Sequence, residues 1–240
     1  ISCLVIFPSL LGMCTVTMML MPILVMGNLL GGFSLFRLLA LTYLVLLARQ
    51  TPLVKEGNKA RQRLKLLAAS TLVVVVMQIA LGGWTSSNYA ALMCTTLPIC
   101  EGNWTSYLDF GRAFELIQPK QESYEFGTLD YGARMTIHVT HRVGAVVVTL
   151  FVSALVLMLL AEKKQAYTKV AKGLLLMLAI QIALGIGNVL LSLPLVVAVA
   201  HNLGAALLLL IVLRTNYLIW QTSHQPVMDS ALINKESAHE

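Results

Sequence analysis

The chain is predicted to be all-α, a polytopic membrane helical bundle made of duplicated four-helix halves with the C-terminal half complete. Three observations predict it. Hydrophobic residues make up 58% of the 240 residues against 12% charged, with a mean hydropathy of +0.79, well beyond a soluble globular domain. Apolar runs lie around 22–48, 66–84, 134–160, 173–193 and 195–219, and a slab of ~30 Å takes ~20 residues of helix to cross. The pattern His-x-x-Gly-Ala, at His141, Gly144 and Ala145, recurs at His201, Gly204 and Ala205, and an altered copy runs through Asn28, Gly31 and Gly32.

In order, residues 1–48 read as a partial N-terminal half. The first run, Ile1 to Thr15, has no initiator methionine, basic flank or small-residue cleavage site of the signal-peptide kind. It is expected to be the tail of a spanning helix whose beginning is missing. A returning helix is expected from Pro22, since a proline's missing N–H would be unpaired at a helix start anyway.

A basic connection, 49–65, follows, carrying Arg49, Lys55, Lys59, Arg61, Arg63 and Lys65, and a second basic stretch holds Lys163, Lys164, Lys169 and Lys172. Both are expected to be cytoplasmic by the excess of positive charge on that side. The net charge of +6 is therefore topological, and no nucleic-acid partner is expected.

Residues 66–219 supply the complete half, with a long outward loop at 85–133. That loop carries Glu101, Asp109, Glu115, Glu122, Glu125 and Asp130, together with its own aromatics. Loops of such length are usually functional or disordered, and here the aromatics favour an ordered cap over the outer mouth. Trp84 is expected at the outer interface, where indoles prefer to lie. The polar tail, 220–240, is expected to be cytoplasmic, with His224 and His239 exposed and without a role.

Cys94 and Cys100 lie in the outward loop, an oxidising setting if the membrane is a bacterial inner membrane. A local disulfide is the first reading, with free thiols or a zinc pair behind it. No other Cys and no His lies in that loop, so a four-ligand zinc site lacks donors.

The repeat reaches beyond the histidines. Gln78-Ile79-Ala80-Leu81-Gly82 recurs identically as Gln181-Ile182-Ala183-Leu184-Gly185. Setting Gly12 against Gly185 also aligns Val16 with Val189, Leu20 with Leu193, Gly31 with Gly204 and Asn28 with His201. Outgoing helices thus end in a glycine-bearing motif, and returning helices bring the histidine or Asn28 inward.

His141 lies seven residues after Arg134 and His201 seven after Pro194, so both imidazoles are expected roughly 10 Å below the outer surface. A single intramembrane histidine is readily read as an interhelical hydrogen bond. Two at matched depth suit a heme, which brings its own equatorial nitrogens and asks only for axial ligands. His138 and Arg134 continue the face of His141, and Arg142 follows it. Propionate pairing, a proton relay and a contact with the loop are the readings for these three. Gln78 and Gln181 are expected to hydrogen-bond neighbouring helices or a cofactor edge.

The residues as a set resemble the heme A synthase family of cytochrome oxidase biogenesis. The resemblance is carried by the paired His-x-x-Gly-Ala helices, Cys94-x5-Cys100, Ala80-Leu81-Gly82-Gly83-Trp84-Thr85, Tyr124-Glu125-Phe126-Gly127 and Ile137-His138-x-x-His141-Arg142. It covers the chain to about Trp220.

The resemblance implies eight spans in two pseudo-symmetric halves and oxidation of the C8 methyl of heme O to the formyl of heme A. It implies a heme b with His141 and His201 as axial iron ligands, the Cys94–Cys100 disulfide, heme O as substrate and heme O synthase as a candidate partner in the lipid bilayer. The electron acceptor and any homo-oligomer are left open.

Two departures stand out. The family's Glu-x-x-His-Arg helix of the substrate half would precede Ile1, and Asn28 stands where the family has a histidine. An amide is a poor ligand for heme iron. The readings are therefore a heme-oxidising enzyme, a non-catalytic heme b electron-transfer or oxidase-assembly protein, and, third, a membrane scaffold without heme.

Overall fold

The computed structural model describes residues 2–48 and 59–221. Among these the secondary structure is helical, without strands: α1 (Ser2–Thr17), α2 (Pro22–Ala48), α3 (Lys59–Ser87), a 3-10 turn at Trp104–Tyr107, the short α4 (Phe110–Ala113), α5 (Tyr131–Ala161), α6 (Gln165–Leu190) and α7 (Leu195–Gln221). Five of these helices, α2, α3, α5, α6 and α7, are long and apolar enough to cross a membrane, and α1 carries a shorter apolar stretch. The chain is a multi-pass membrane protein. A helix closes its own backbone hydrogen bonds, which is what lets it lie in lipid with leucine and valine side chains outward; Leu195 and Val196 are 78% and 79% exposed for that reason.

Two helices outrun the apolar stretches that mark them. α3 already begins at Lys59, inside the basic stretch, and α6 begins at Gln165 and stops at Leu190. Helical hydrogen bonding does not end at the hydrocarbon edge, and the charged residues there find partners at the interface. Arg61 Nη2 donates to the Ile219 carbonyl at 3.0 Å. Lys65 sits over the Trp220 ring at 4.9 Å.

α3 packs on α5 and α7, and α6 packs on the same two helices, closing a four-helix ring. Leu64, Ala68, Val75, Val152, Leu155, Leu174, Leu209 and Val212 are buried at its centre. α1 packs on α2, and α2 lies against α3 and α7 from outside the ring. Gly83 permits that approach, because a β-carbon there would come within 2.7 Å of Leu29.

The repeat is visible in the backbone. Between α1 and α2, Met19 and Leu20 are both left-handed, at φ 50° and 66°; between α6 and α7, Ser192 and Leu193 are left-handed at 58° and 59°. The hydrogen bonds match in register: Met18 to Cys14, Met19 to Val16 and Leu20 to Thr15 correspond to Leu191 to Gly187, Ser192 to Val189 and Leu193 to Asn188. Bulky residues rarely adopt this region, so two successive ones in the same place twice mark one turn used twice.

The loop between α3 and α5 folds into a cap with its own small core of Trp84, Ala90, Ala113, Leu129, Ala133 and Ile137. Trp84 belongs to this core. It is 2% exposed and its indole N–H donates to the Ala113 carbonyl at 2.8 Å, so it lies beneath the cap where the sequence suggested a lipid interface. A buried chain of side chains runs from Thr128 Oγ1 to Gln118 Oε1 and from Gln118 Nε2 to Asn88 Oδ1, each at 2.8 Å. Gly127, at φ 80°, sits so close to the Asn88 carbonyl that a β-carbon would approach within 2.7 Å. Asp130 caps α5 by accepting from the Ala133 N–H. Residues 222–240, with His224 and His239, and residues 49–58 lie outside the described residues.

Candidate functional site

The two histidine motifs fold into the same cassette, each built by one helix hairpin. In the first, Gln78 of α3 reaches α5, where its Nε2 lies 2.9 Å from the His141 carbonyl oxygen and 3.1 Å from the ring nitrogen Nδ1. In the second, Gln181 of α6 reaches α7, with Nε2 3.0 Å from the His201 carbonyl oxygen and 3.4 Å from the ring nitrogen Nε2. One amide therefore grips both the backbone and the ring of each histidine.

Glycines make the fit possible. A β-carbon on Gly82 would lie 3.2 Å from Cε1 of His141, and one on Gly185 would lie 3.3 Å from Cε1 of His201. A β-carbon on Gly144 would strike Oε1 of Gln78, and one on Gly204 would strike Oε1 of Gln181. The His-x-x-Gly spacing thus puts a bare backbone one turn beyond each histidine, where the glutamine amide sits. The small residues serve close approach, as they do generally between membrane helices.

The rings present opposite edges: His141 turns Nδ1 toward its glutamine and His201 turns Nε2. Each leaves its other nitrogen without a protein partner among the described residues, and Nδ1 of His201 is buried in that state. No three His, Cys, Asp or Glu side chains among the described residues are placed to share one metal ion. The donor set offered here is two imidazoles. Paired imidazoles with one uncommitted nitrogen apiece fit a heme, which needs axial donors alone.

The polar neighbours of His141 are drawn toward the cap. His138 is 5% exposed, with Nδ1 2.9 Å from the Ala90 carbonyl oxygen. Arg142 donates to the Cys94 carbonyl at 2.5 Å, to the Thr96 carbonyl at 2.8 Å and toward Cys94 Sγ at 3.1 Å. Cys94 and Cys100 are joined as a disulfide. Arg134 makes one long hydrogen bond, 3.5 Å, to the Phe126 carbonyl, and its Nε is buried without a partner. Of the residues expected near His141, then, His138 and Arg142 meet the loop closely and Arg134 through one long bond.

The third copy keeps the scaffold and changes the chemistry. Asn28 faces Gly12 as the histidines face Gly82 and Gly185, with its amide nitrogen 3.7 Å from a β-carbon built there. Pro8 stands four residues before Gly12, the place of the glutamines, and its Cγ would lie 2.9 Å from a β-carbon on Gly31. The sequence singles out Asn28, and for Gln78 and Gln181 it predicts only hydrogen bonds to neighbouring helices or a cofactor edge. The constant spacing from glutamine to glycine was the available signal for more.

Comparison with known proteins gives the family. A family model described as COX15-CtaA, cytochrome oxidase assembly protein, matches residues 1–213. The chain is 51% identical over 223 residues to a heme A synthase of Shewanella oneidensis, an alignment covering 92% of this chain and 65% of that relative. It is 27% and 28% identical over 148 residues to heme A synthases of Rickettsia massiliae and Rickettsia felis, covering 62% of this chain and 40% of each relative. No solved structure gives a significant match. On the family match over residues 1–213 and the 51% identity to a curated relative, the chain belongs to the heme A synthase family, the cytochrome oxidase assembly proteins of the COX15-CtaA type.

Proposed function

We propose that the chain acts in heme A biosynthesis as a membrane oxidoreductase that oxidises the C8 methyl of heme O to the formyl of heme A. The observation that carries the reading is the matched pair of cassettes, each holding an imidazole by one nitrogen and leaving the other free. In this reading His141 and His201 would hold a heme b within the 66–219 half, and the 1–48 hairpin would contribute to the half that binds heme O. At net balance a methyl becoming a formyl takes up the oxygen of one water and gives up four protons and four electrons to an external acceptor, and a bis-imidazole heme would supply a one-electron carrier on that route.

The chain's own residues do the rest. Gly82 and Gly185 leave room for the rings, and Gln78 and Gln181 hold them. His138 and Arg142 seat the cap on α5, and Arg134, with a long bond and an unpartnered Nε, has charge left for a propionate. The same reading puts the cap outside a bacterial inner membrane and the basic helix ends in the cytoplasm.

A reduced-minus-oxidised spectrum of the purified protein tests it. Low-spin b-type bands are expected, and they should vanish in His141→Ala and in His201→Ala. Their absence from the unsubstituted protein would remove the heme reading.

Asn28 favours a second reading, a heme b protein that transfers electrons or assists oxidase assembly without oxidising heme O. Supplying heme O to the full-length gene product separates the two. Formation of heme A supports the first, and bound heme b without product supports the second.

A further inference from the structure

We propose that the 3-10 turn and α4, residues 104–113, form a lipid anchor for the cap: they lie on the headgroup zone of the cap-side leaflet, with Tyr107 and Phe110 against lipid. The inference does not depend on the heme reading.

The lipid-facing side of α5 fixes the position of this segment. Residues seven apart on a helix lie within about 20° of one another around its axis, so Thr136, Val143, Leu150 and Leu157 form one stripe. Val143, Leu150 and Leu157 are each more than half exposed, as side chains facing lipid must be on a helix long and apolar enough to cross a membrane. Thr136 continues the stripe one heptad nearer the cap, and it is fully buried. The segment covers it. The Asp109 N–H donates to Thr136 Oγ1 at 2.8 Å, and Gly132, one turn earlier, leaves room for the Tyr107 carbonyl, which would lie 2.5 Å from a β-carbon there. The 3-10 turn and α4 therefore sit directly above the lipid-facing stripe, about 10 Å along the axis from Val143. A slab of ~30 Å takes ~20 residues of helix, and α5 has 31. Its first turns thus project past the hydrocarbon to the level of the headgroups.

The composition of the segment suits that place. Trp104 and Tyr107 are three apart in a 3-10 turn, which sets them on one side. Tyr107 and Phe110 are both more than half exposed, and the Tyr107 ring meets Tyr131 edge-on at 5.6 Å. The charges of the segment are engaged: Asp109 accepts from the Arg112 N–H at 3.0 Å, and Arg112 Nη1 lies 3.3 Å from Asp130. Tryptophan and tyrosine gather at membrane interfaces because the ring meets acyl chain while the N–H or hydroxyl meets headgroups. Against the leaflet the exposed rings bury apolar area that water would leave uncovered. Trp84, buried beneath the cap, is not placed for this role.

The test uses the purified full-length protein in phosphatidylcholine nanodiscs, with Phe110→Trp as the reporter. Its added emission, taken as the difference from the unsubstituted protein, is measured with bromines on the acyl chains and separately with iodide in the water. The expected result is a loss of that emission in the brominated nanodiscs and little change with iodide. Phe126→Trp is the comparison. Phe126 is also exposed, but its carbonyl accepts from Arg134, about 200° around α5 from Thr136, so bromines should leave its emission unchanged. Trp104→Phe gives a second reading that holds even if Phe110→Trp fails to fold: it should remove a bromine-quenched component of the native emission.

Quenching of the Phe110→Trp emission by iodide and not by bromines would put the segment in water. Quenching by neither would put protein over it, such as a second copy of the chain. Either result overturns the proposal, as does a Trp104→Phe difference that bromines do not affect.

Discussion

Arg142 binds Cys94 through both its peptide carbonyl and its sulfur, and so fastens the disulfide loop to the residue that follows His141. A planar guanidinium spans the carbonyls of Cys94 and Thr96 at once. An ammonium cannot. Arg142→Lys should therefore release one arm of the loop and destabilise the cap by about 1.5–3 kcal/mol, the range for a hydrogen bond to a charged group. Faster reduction of the Cys94–Cys100 bond by dithiothreitol and earlier protease nicking within 94–100 are the expected readouts. Unchanged rates would count against the contact.

The cassette glycines should be intolerant of a single methyl group. In Gly144→Ala and Gly204→Ala the new β-carbon meets the glutamine amide, and overpacking of this kind costs about 1–3 kcal/mol. Gly32→Ala meets nothing within 4 Å and should be neutral. Thermal unfolding in detergent, with heme content measured alongside, distinguishes the three. Equal behaviour would show that the amide can withdraw without loss.

Gln118 is the middle of the buried chain that links Asn88 to Thr128. Gln118→Leu removes two hydrogen bonds and leaves the buried Asn88 amide oxygen unpaired, at about 1–3 kcal/mol, while the half-buried Thr128 hydroxyl can turn to water. The cap should open to limited proteolysis while the four-helix ring stays helical by circular dichroism. A simultaneous loss of helicity would mean that ring and cap unfold as one.

Ser192 is left-handed at φ 58°, a conformation that costs an ordinary residue roughly 1–2 kcal/mol and glycine almost nothing. Ser192→Gly should raise the melting temperature, after allowance for the extra freedom glycine has when unfolded. Because Met19 aligns with Ser192 in the repeat, Met19→Gly should do the same. A fall in both would show that the turn tolerates its side chains without strain.

Hydropathy and repeats made most of this architecture legible, because lipid selects apolar residues over a length that helix geometry dictates. The five spans and the shared register of Gly12 with Gly185 are readable in that way, whereas the pairing of Cys94 with Cys100 is the first reading of two cysteines in one outward loop and is implied by the family resemblance. Other features were hidden for a common reason: hydropathy reports what a residue must avoid, and says little about which partner it finds. Lys59 to Lys65 look like a loop by charge, yet they are helical because Arg61 and Lys65 have partners on α7. Trp84 has the composition of an interface residue, and its neighbour turned out to be the Ala113 carbonyl. Gln78 and Gln181 were visible as polar residues in spans, but the repeated grip on histidine emerged only when α3 was set beside α5 and α6 beside α7.

One contact of the cap reaches past the ring altogether: the Tyr124 N–H donates to the Met19 carbonyl, at the turn between α1 and α2, over 3.0 Å. During synthesis that turn is made long before Tyr124, and chains fold from the N-terminus as they emerge. The first hairpin must therefore wait, with an open carbonyl at its tip, until the loop beyond α3 has been made. Closure of this bond ties the first hairpin to the cap, and a chain interrupted between α3 and α4 would leave the hairpin without this latch.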